Sequence, residues 1–532
     1  MLSEFLAGAG VLIVAVACAG AILLPPGRLR ALAMVLAMVL FPVLIVGDQW
    51  HTAQIVDLRH DEGRIVALLA IAAAVIGALA YAFRRRAILF PLAVIFAIPF
   101  RVPLHAGGDT ANLLVPLYLV IAAGVVAVVL RDWPLPGGGA DLGDHPERDG
   151  GTRSGSGPPG PLAIVLSAVV LLYALQTLYS DDFSQGLQNL CFFLVPFTIA
   201  YRLLREVTWD RRLLRWALIV VGAEATLFIL VGGVELATRS LFWNDQVIRS
   251  NEFHTYFRVN SIFWDPNVYG RYLALVTVVV TAAMLWARTR DAFWVLTGLI
   301  VVLWLGLVPT YSQSSLIALL AGLAVLAAIR WGRLRWTVAA AAIGCIAIAA
   351  IVFAAGGKLD IDRINILTGG RADLVEGGAE LFSERPVWGY GSGSFQKAYK
   401  DHRENEDVPV SESHTEPVTV AAEQGLIGLL AYLSLVGIAL LTLGRGLWSG
   451  RPAGPVSDRG LSLPGESSRS SPPAGGTARA AVLAAFIALL VHTLSYAGFF
   501  DDPITWVLLA VGASLAEQVR RGVEVSPVRD PA

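Results

Sequence analysis

Charge is the scarcest ingredient of this chain. Only 15% of its 532 residues are Asp, Glu, Lys or Arg, whereas a water-soluble domain carries about 25%. That shortage excludes a soluble domain of this size, and a mean hydropathy of +0.65 agrees. Lysine occurs only at Lys358, Lys397 and Lys400, so nearly every cation is an arginine. Cysteine is equally sparse: Cys18, Cys191 and Cys345 each lie inside an apolar run, which excludes a disulfide framework. Short alternating strands are missing, which excludes a membrane β-barrel. There is no internal repeat at the residue level, and no His, Asp and Glu spacing suits a metal. The net charge of −1 is segregated by position and names no partner; no nucleic-acid partner is expected.

What the chain has is apolar runs of about 20 residues, the length a helix needs to cross a bilayer. They predict an all-α, polytopic transmembrane bundle of about fifteen spans, with twelve to fifteen as the range. The expected spans are 5–24, 31–47, 65–83, 87–104, 111–130, 161–179, 187–204, 213–233, 267–287, 293–309, 313–330, 336–355, 418–443, 480–499 and 504–519. Ala15-Val-Ala-Cys18 has the form of a lipoprotein cleavage site. Glu4 precedes it and no basic segment does, so a first transmembrane helix is expected.

Arginine sets the expected orientation. With the N-terminus outside, the inner loops carry Arg28 and Arg30, Arg84 to Arg86, Arg202 to Arg215, Arg288 and Arg290, Arg330 to Arg335, and Arg520 and Arg521. The positive-inside rule then makes the C-terminus cytoplasmic. The expected organisation is N-terminal helices over 1–130, a cytoplasmic linker over 131–160 and central helices over 161–355. An extracytoplasmic loop over 356–417, a helix over 418–443, a second linker over 444–479 and C-terminal helices over 480–532 follow. Both linkers are rich in Gly, Pro and Ser and are expected to be disordered tethers.

A few polar residues are stranded among these runs, and this topology turns them all outward. The segment 234–266 carries Arg249, His254 and Arg258 and ends in Phe263-Trp-Asp265-Pro266-Asn267. Asp-Pro-Asn reads first as a helix start, with Asp265 as cap and Pro266 in the first turn. Arg271 lies one turn inside a lipid-spanning segment, where a charge is costly unless it is paired or used. In the loop 356–417, Leu374, Ala379, Leu381 and Phe382 recur near helical spacing and predict an amphipathic surface helix. Arg371 stands at its start, opposed to the helix dipole and suited to an anion bound there. The turn Pro386-Val-Trp-Gly389-Tyr-Gly391-Ser-Gly393-Ser-Phe395 is dense in glycine. His414, between Glu412 and Glu416 at the lipid–water boundary, is a general base by type. Arginines on the same face are a clamp for phosphate or pyrophosphate.

These residues resemble the bacterial O-antigen ligase and polymerase family of membrane glycosyltransferases, over roughly residues 160–520. The likeness is carried by Arg258 with Phe263-Trp-Asp265-Pro266-Asn267, by Arg371 with the glycine turn, and by His414 followed by Glu423-x-Gly425-x-x-Gly428. The resemblance implies a fold similar to the GT-C glycosyltransferases and a site facing the periplasm or exterior of the cytoplasmic (inner) membrane. It implies transfer of a glycan from a polyprenyl-pyrophosphate carrier, such as undecaprenyl pyrophosphate, to a glycan or glycolipid acceptor. Transfer would invert the anomeric centre without metal or cofactor, as a step of cell-envelope polysaccharide biosynthesis. By position, Arg258 and Arg371 would hold the pyrophosphate and His414 would deprotonate or position the acceptor hydroxyl. The family's Ser-x-Ser-Arg-like motif departs here to Thr310-Tyr311-Ser312-Gln313-Ser314-Ser315 and lacks its arginine. Arg271 is the candidate replacement, and Tyr311 and Gln313 are candidate sugar contacts. The competing reading is a transporter or flippase for a lipid-linked saccharide, to which Pro196, Glu224 and Arg271 would point.

Overall fold

The computed structural model describes residues 2–106, 109–133, 159–253, 256–331, 371–403, 413–447 and 476–521. The expected span 336–355, Cys345, His254, most of both linkers and the first part of the loop 356–417 lie outside them. The first half of the chain forms α1 (Leu2–Leu23), α2 (Arg28–Asp48), α3 (Ala53–His60), α4 (Glu62–Arg85) and α5 (Leu89–Ala97). The antiparallel pair β1 (Val102–Ala106) and β2 (Asp109–Leu113) leads into α6 (Val115–Asp132). After it come α7 (Pro161–Thr177), α8 (Phe183–Asn189), α9 (Val195–Arg205), α10 (Arg211–Thr238) and α11 (Asp245–Phe253). The second half holds α12 (Pro266–Leu285), α13 (Arg290–Leu307), α14 (Gln313–Trp331), α15 (Arg371–Glu384) and α16 (Phe395–Arg403). The last three are α17 (Glu416–Gly444), α18 (Gly476–Thr493) and α19 (Pro503–Arg520).

The chain is thus a polytopic helical bundle. Among the described residues, eleven helices are long and apolar enough to cross a membrane. The fifteen-span expectation departs at 87–104, where α5 has nine residues and the β1–β2 hairpin follows. Pro99 and Arg101 sit just past that helix, and a proline cannot supply the N–H that would continue it. The expected span 161–179 is a 17-residue helix, shorter than the others. Residues 183–205 run continuously, with a π-turn at Leu190–Leu194 immediately ahead of Pro196, a common accommodation of a lost helical N–H.

Two apolar cores organise the bundle. One gathers α1, α2, α6, α7 and α9 with parts of α17 and α19. The other gathers α10, α12, α13 and α14 with α18. Ala480, Ala481, Ala484, Ala485 and Ala488 give α18 a small-residue face that lets α12 and α14 approach closely. Helix starts are capped within the chain. Asp265 accepts the Asn267 N–H at 2.6 Å with Pro266 in the first turn, as its sequence suggests. Asp210 caps α10 at 2.7 Å and Asp502 caps α19 at 2.8 Å.

An ion cluster closes one end of the bundle. Arg30, fully buried, pairs with Glu206, which also holds Arg202 at 2.9 Å. From Asp210, next to that cluster, α10 traverses once and delivers the chain to the segment carrying Arg258. The arginine-rich turns at 202–215 and 288–290 therefore lie at the end opposite Arg258.

The amphipathic helix expected in the long loop is present as α15, and it packs on α17. The glycine turn after it docks into a break in α17 at Gly425 (φ 62°, ψ −162°). Glu423 holds the turn with its carboxylate, which accepts the N–H groups of Gly393 at 2.9 Å and Phe395 at 3.1 Å. Glu423 is thereby a structural pin.

Candidate functional site

The starts of α12, α14, α17 and α19 and the end of α18 meet at the end of the bundle that carries Arg258. Asn251 clamps the backbone of Arg258 on both sides, accepting its N–H and donating to its carbonyl, each at 3.0 Å. The guanidinium then donates from Nε to the Thr310 carbonyl at 2.9 Å and from Nη2 to Asn267 Oδ1 at 3.1 Å. Both acceptors are neutral. Arg258 is held in place by groups that leave its charge uncompensated, and among the described residues no carboxylate pairs with it. Buried Glu235 orders the following turn by accepting the N–H groups of Asn260 at 3.2 Å and Ser261 at 2.7 Å.

A serine cluster continues inward from Arg258. Ser312 Oγ lies 2.7 Å from Ser315 Oγ and 3.1 Å from Ser314 Oγ. Ser314 and Ser315 both reach Nε2 of the buried His492, at 3.2 and 3.3 Å. Close packing makes this possible: a Cβ added at Gly270 on α12 would lie 2.7 Å from Ser315 Oγ. The His492 ring is 5.9 Å from the Tyr496 ring, and Tyr496 is 5.7 Å from His414. His414 has a left-handed backbone (φ 58°). Its neighbours fix it: Thr415 Oγ1 donates to the Leu494 carbonyl at 3.1 Å, and Ser413 Oγ meets Thr419 Oγ1 at 2.7 Å.

The structure therefore joins Arg258 and His414 through Asn267, the serines, His492 and Tyr496. Tyr311, exposed and left-handed (φ 51°), stacks on Tyr256 at 4.5 Å directly after the carbonyl that holds Arg258. Gln313 is exposed at the start of α14. Arg371 is the first residue of α15; its side chain lies outside the described residues.

Arg271 is buried in an ion pair with Asp502 at 3.0 Å. Glu416, beside it, accepts the N–H groups of Gly498 and Phe499 at 2.8 and 2.9 Å. Burial, then the neighbouring Glu416, raises the Asp501 carboxyl well above the usual carboxylate range. Among the described residues no three His, Cys, Asp or Glu side chains gather to hold a metal. His492, Tyr496, Asp502 and Arg101, the last lining a cavity with Arg271, are absent from the sequence-based candidate set. The one sequence signal of His492 is an ionisable side chain in an apolar run, which an ordinary buried histidine gives equally.

Residues 298–433 match the family model described as O-antigen ligase. The matched stretch runs from within α13 through α16 to the first part of α17, and it includes the serine cluster, Arg371, the glycine turn and His414. Arg258, Arg271 and His492 reach the same end of the bundle from outside the ligase match. A search of curated proteins finds no match to the chain.

The Arg271–Asp502 pair gives a direct test of how this end is held. Arg271→Met leaves a buried carboxylate without its cation and is expected to cost about 3–5 kcal/mol. Arg271→Met with Asp502→Asn keeps the α19 cap and removes the orphaned charge, so it should recover most of that loss. Thermal unfolding in detergent measures both; a double variant no better than the single one would show that the pair is not what is lost.

Proposed function

We propose that the protein is a membrane glycosyltransferase that moves a glycan from a polyprenyl-pyrophosphate carrier to a hydroxyl of a glycan or glycolipid acceptor. The observation that carries this is the charged but carboxylate-free Arg258, connected through Asn267, the serines, His492 and the Tyr496 ring to His414 within the matched stretch. Arg258 and Arg371 serve as the pyrophosphate clamp, and Arg271 holds the clamp's floor through Asp502. His414 takes the proton of the attacking hydroxyl as its oxygen forms a bond to the anomeric carbon. The carbon–oxygen bond to pyrophosphate breaks on the opposite face, with inversion. Pyrophosphate leaves readily once its charge is neutralised, so arginines and positioning suffice without a metal. Tyr311 on Tyr256, with Gln313 nearby, offers a platform for sugar rings.

The site faces the periplasm or exterior of the cytoplasmic membrane. Supporting this, the arginine-rich turns lie at the other end, which the positive-inside rule assigns to the cytoplasm. The transporter reading gains nothing specific: Glu224 is engaged by Tyr272 at 3.3 Å and Arg271 by Asp502.

Deleting the gene and analysing surface glycans and lipid-linked intermediates tests the proposal. Accumulation of complete lipid-linked chains indicates a ligase; single repeats in place of long chains indicate a polymerase. Unchanged surface glycans and no accumulated donor would overturn the assignment.

A further inference from the structure

The end of the bundle opposite Arg258 carries more cation than its carboxylates can hold. Arg30 on α2, Arg131 on α6 and Arg202 on α9 share Glu206 and Asp132. Glu206 meets Arg30, Arg202 at 2.9 Å and Arg131 at 3.8 Å; Asp132 meets Arg131 at 2.8 Å and Arg30 at 3.8 Å. Arg30 and Arg202 are buried, yet Nε and Nη2 of Arg30 and Nε of Arg202 have no hydrogen-bond partner among the described residues. Arg28 is exposed, lies 5.4 Å from the centre of the Trp133 ring and makes no ion pair among the described residues. Four guanidiniums thus meet two carboxylates.

Arg131 and Arg202 stand in the last turns of α6 and α9, where a cation complements the helix dipole and needs no ligand. Arg28 and Arg30 do the opposite. They open α2, a helix of 21 residues whose first turn holds no acid and whose N-cap, Gly27, supplies no side chain. The open N–H groups and positive dipole end of that helix add to the arginine charge, and all of them favour an anion. Buried Arg30 and Arg202 stay out of a ligand's reach but raise the potential over the surface. At that surface Arg28 lies over exposed Trp133, and Arg131, two residues before the tryptophan, is exposed as well. Leu29, next to Arg28, is 72% exposed, as a lipid-facing side chain is. Tryptophan and arginine at the ends of apolar helices mark the lipid–water boundary.

We propose that Arg28, Arg131 and the uncapped start of α2 bind the phosphodiester headgroup of an anionic phospholipid. The arginines donate N–H groups to its phosphate oxygens, and its acyl chains lie along the lipid side of α2 past Leu29. Basic clusters between helix ends on the cytoplasmic side are suited to acidic headgroups, and the positive-inside rule assigns this end to the cytoplasm. The lipid compensates charge where α2, α6 and α9 meet and so stabilises that end of the bundle. This site is separate from the glycosyl-transfer chemistry and stands whether or not that reading holds.

The test is the unfolding temperature of the full-length protein in neutral detergent, titrated with phosphatidylglycerol, with phosphatidylcholine and with inorganic phosphate. Phosphatidylglycerol should raise it saturably, as a ligand of the folded state does, and the other two should not. Arg28→Gln and Arg131→Gln should each raise the half-saturating phosphatidylglycerol concentration about fivefold, the worth of one arginine near an anionic headgroup. Arg288→Gln with Arg290→Gln removes two arginines from the same end, in the turn between α12 and α13, and should leave that concentration unchanged. Arg131 also holds Asp132, so Arg28→Gln, which breaks no described ion pair, decides the matter if Arg131→Gln does not fold. An equal response to phosphatidylcholine, an equal loss in the Arg288 and Arg290 variant, or an unchanged response in Arg28→Gln overturns the site. A response to inorganic phosphate that matches phosphatidylglycerol overturns the lipid as its occupant.

Discussion

Replacing His414 by asparagine should abolish glycan transfer while leaving the protein folded and inserted. The backbone at His414 is left-handed (φ 58°), a conformation that alanine tolerates poorly and asparagine well. Alanine would therefore remove the imidazole and strain the turn together, whereas asparagine removes only the proton acceptor. A positioned general base contributes about 10² to 10⁴-fold to a rate. Transfer by His414→Asn, measured with lipid-linked donor in reconstituted membranes, is expected to fall by about that factor. Donor binding should stay within a few-fold of wild type, because the proposed clamp is built from arginines. If His414 merely shapes the turn, asparagine will support near-normal transfer and alanine will not. That pattern would remove His414 from the chemistry.

The spans and the helix starts were legible because both are written locally. Apolar runs report the lipid, and Asp265-Pro266-Asn267 shows its cap within three residues. Arg258 and His414 were legible too, as polar residues with no place in a lipid-facing run. Their partners were not. Asp502 lies more than two hundred residues from Arg271, and nothing near either names the other; only the packing of α18 against both α12 and α19 brings them together. His492 was hidden by its setting, since a single histidine in an apolar helix most often signifies an ordinary buried side chain. Arg101 was hidden by a wrong element. Residues 87–104 read as one span because their composition is apolar, yet the helix ends at Ala97 and the chain turns into a hairpin. That early ending is what frees Arg101 to line the cavity beside Arg271.

Gly425→Ala should be among the most damaging single substitutions in the chain, although it adds one methyl group. The backbone there (φ 62°, ψ −162°) falls in a region essentially restricted to glycine. The added Cβ would also lie 2.4 Å from the Val387 carbonyl and 2.7 Å from the Trp388 nitrogen, both backbone and unable to move aside cheaply. What depends on Gly425 is a set of substituted hydrogen bonds. Breaking α17 orphans carbonyls that lipid cannot satisfy. Here the carbonyls of Ala422, Glu423 and Gln424 accept from Tyr390 N, Gly391 N and Gln176 Nε2, at 3.2, 2.7 and 3.0 Å. Past the break, Leu426 N donates to the Pro386 carbonyl at 2.8 Å. A side chain at 425 forces the turn off the helix and strands several of these groups together. The expected cost is about 3–5 kcal/mol, at the upper end for a point substitution. It should appear as loss of monodisperse protein or a sharply lowered unfolding temperature in detergent. Gly437 supplies the internal control, because it lies in the same helix with nothing within 4 Å of an added Cβ. Gly437→Ala should be neutral or slightly stabilising, as helix propensity favours alanine by up to about 1 kcal/mol. Equal tolerance of alanine at both positions would mean that the break at Gly425 does not hold the glycine turn. The placement of the segment leading to His414 would then need another cause.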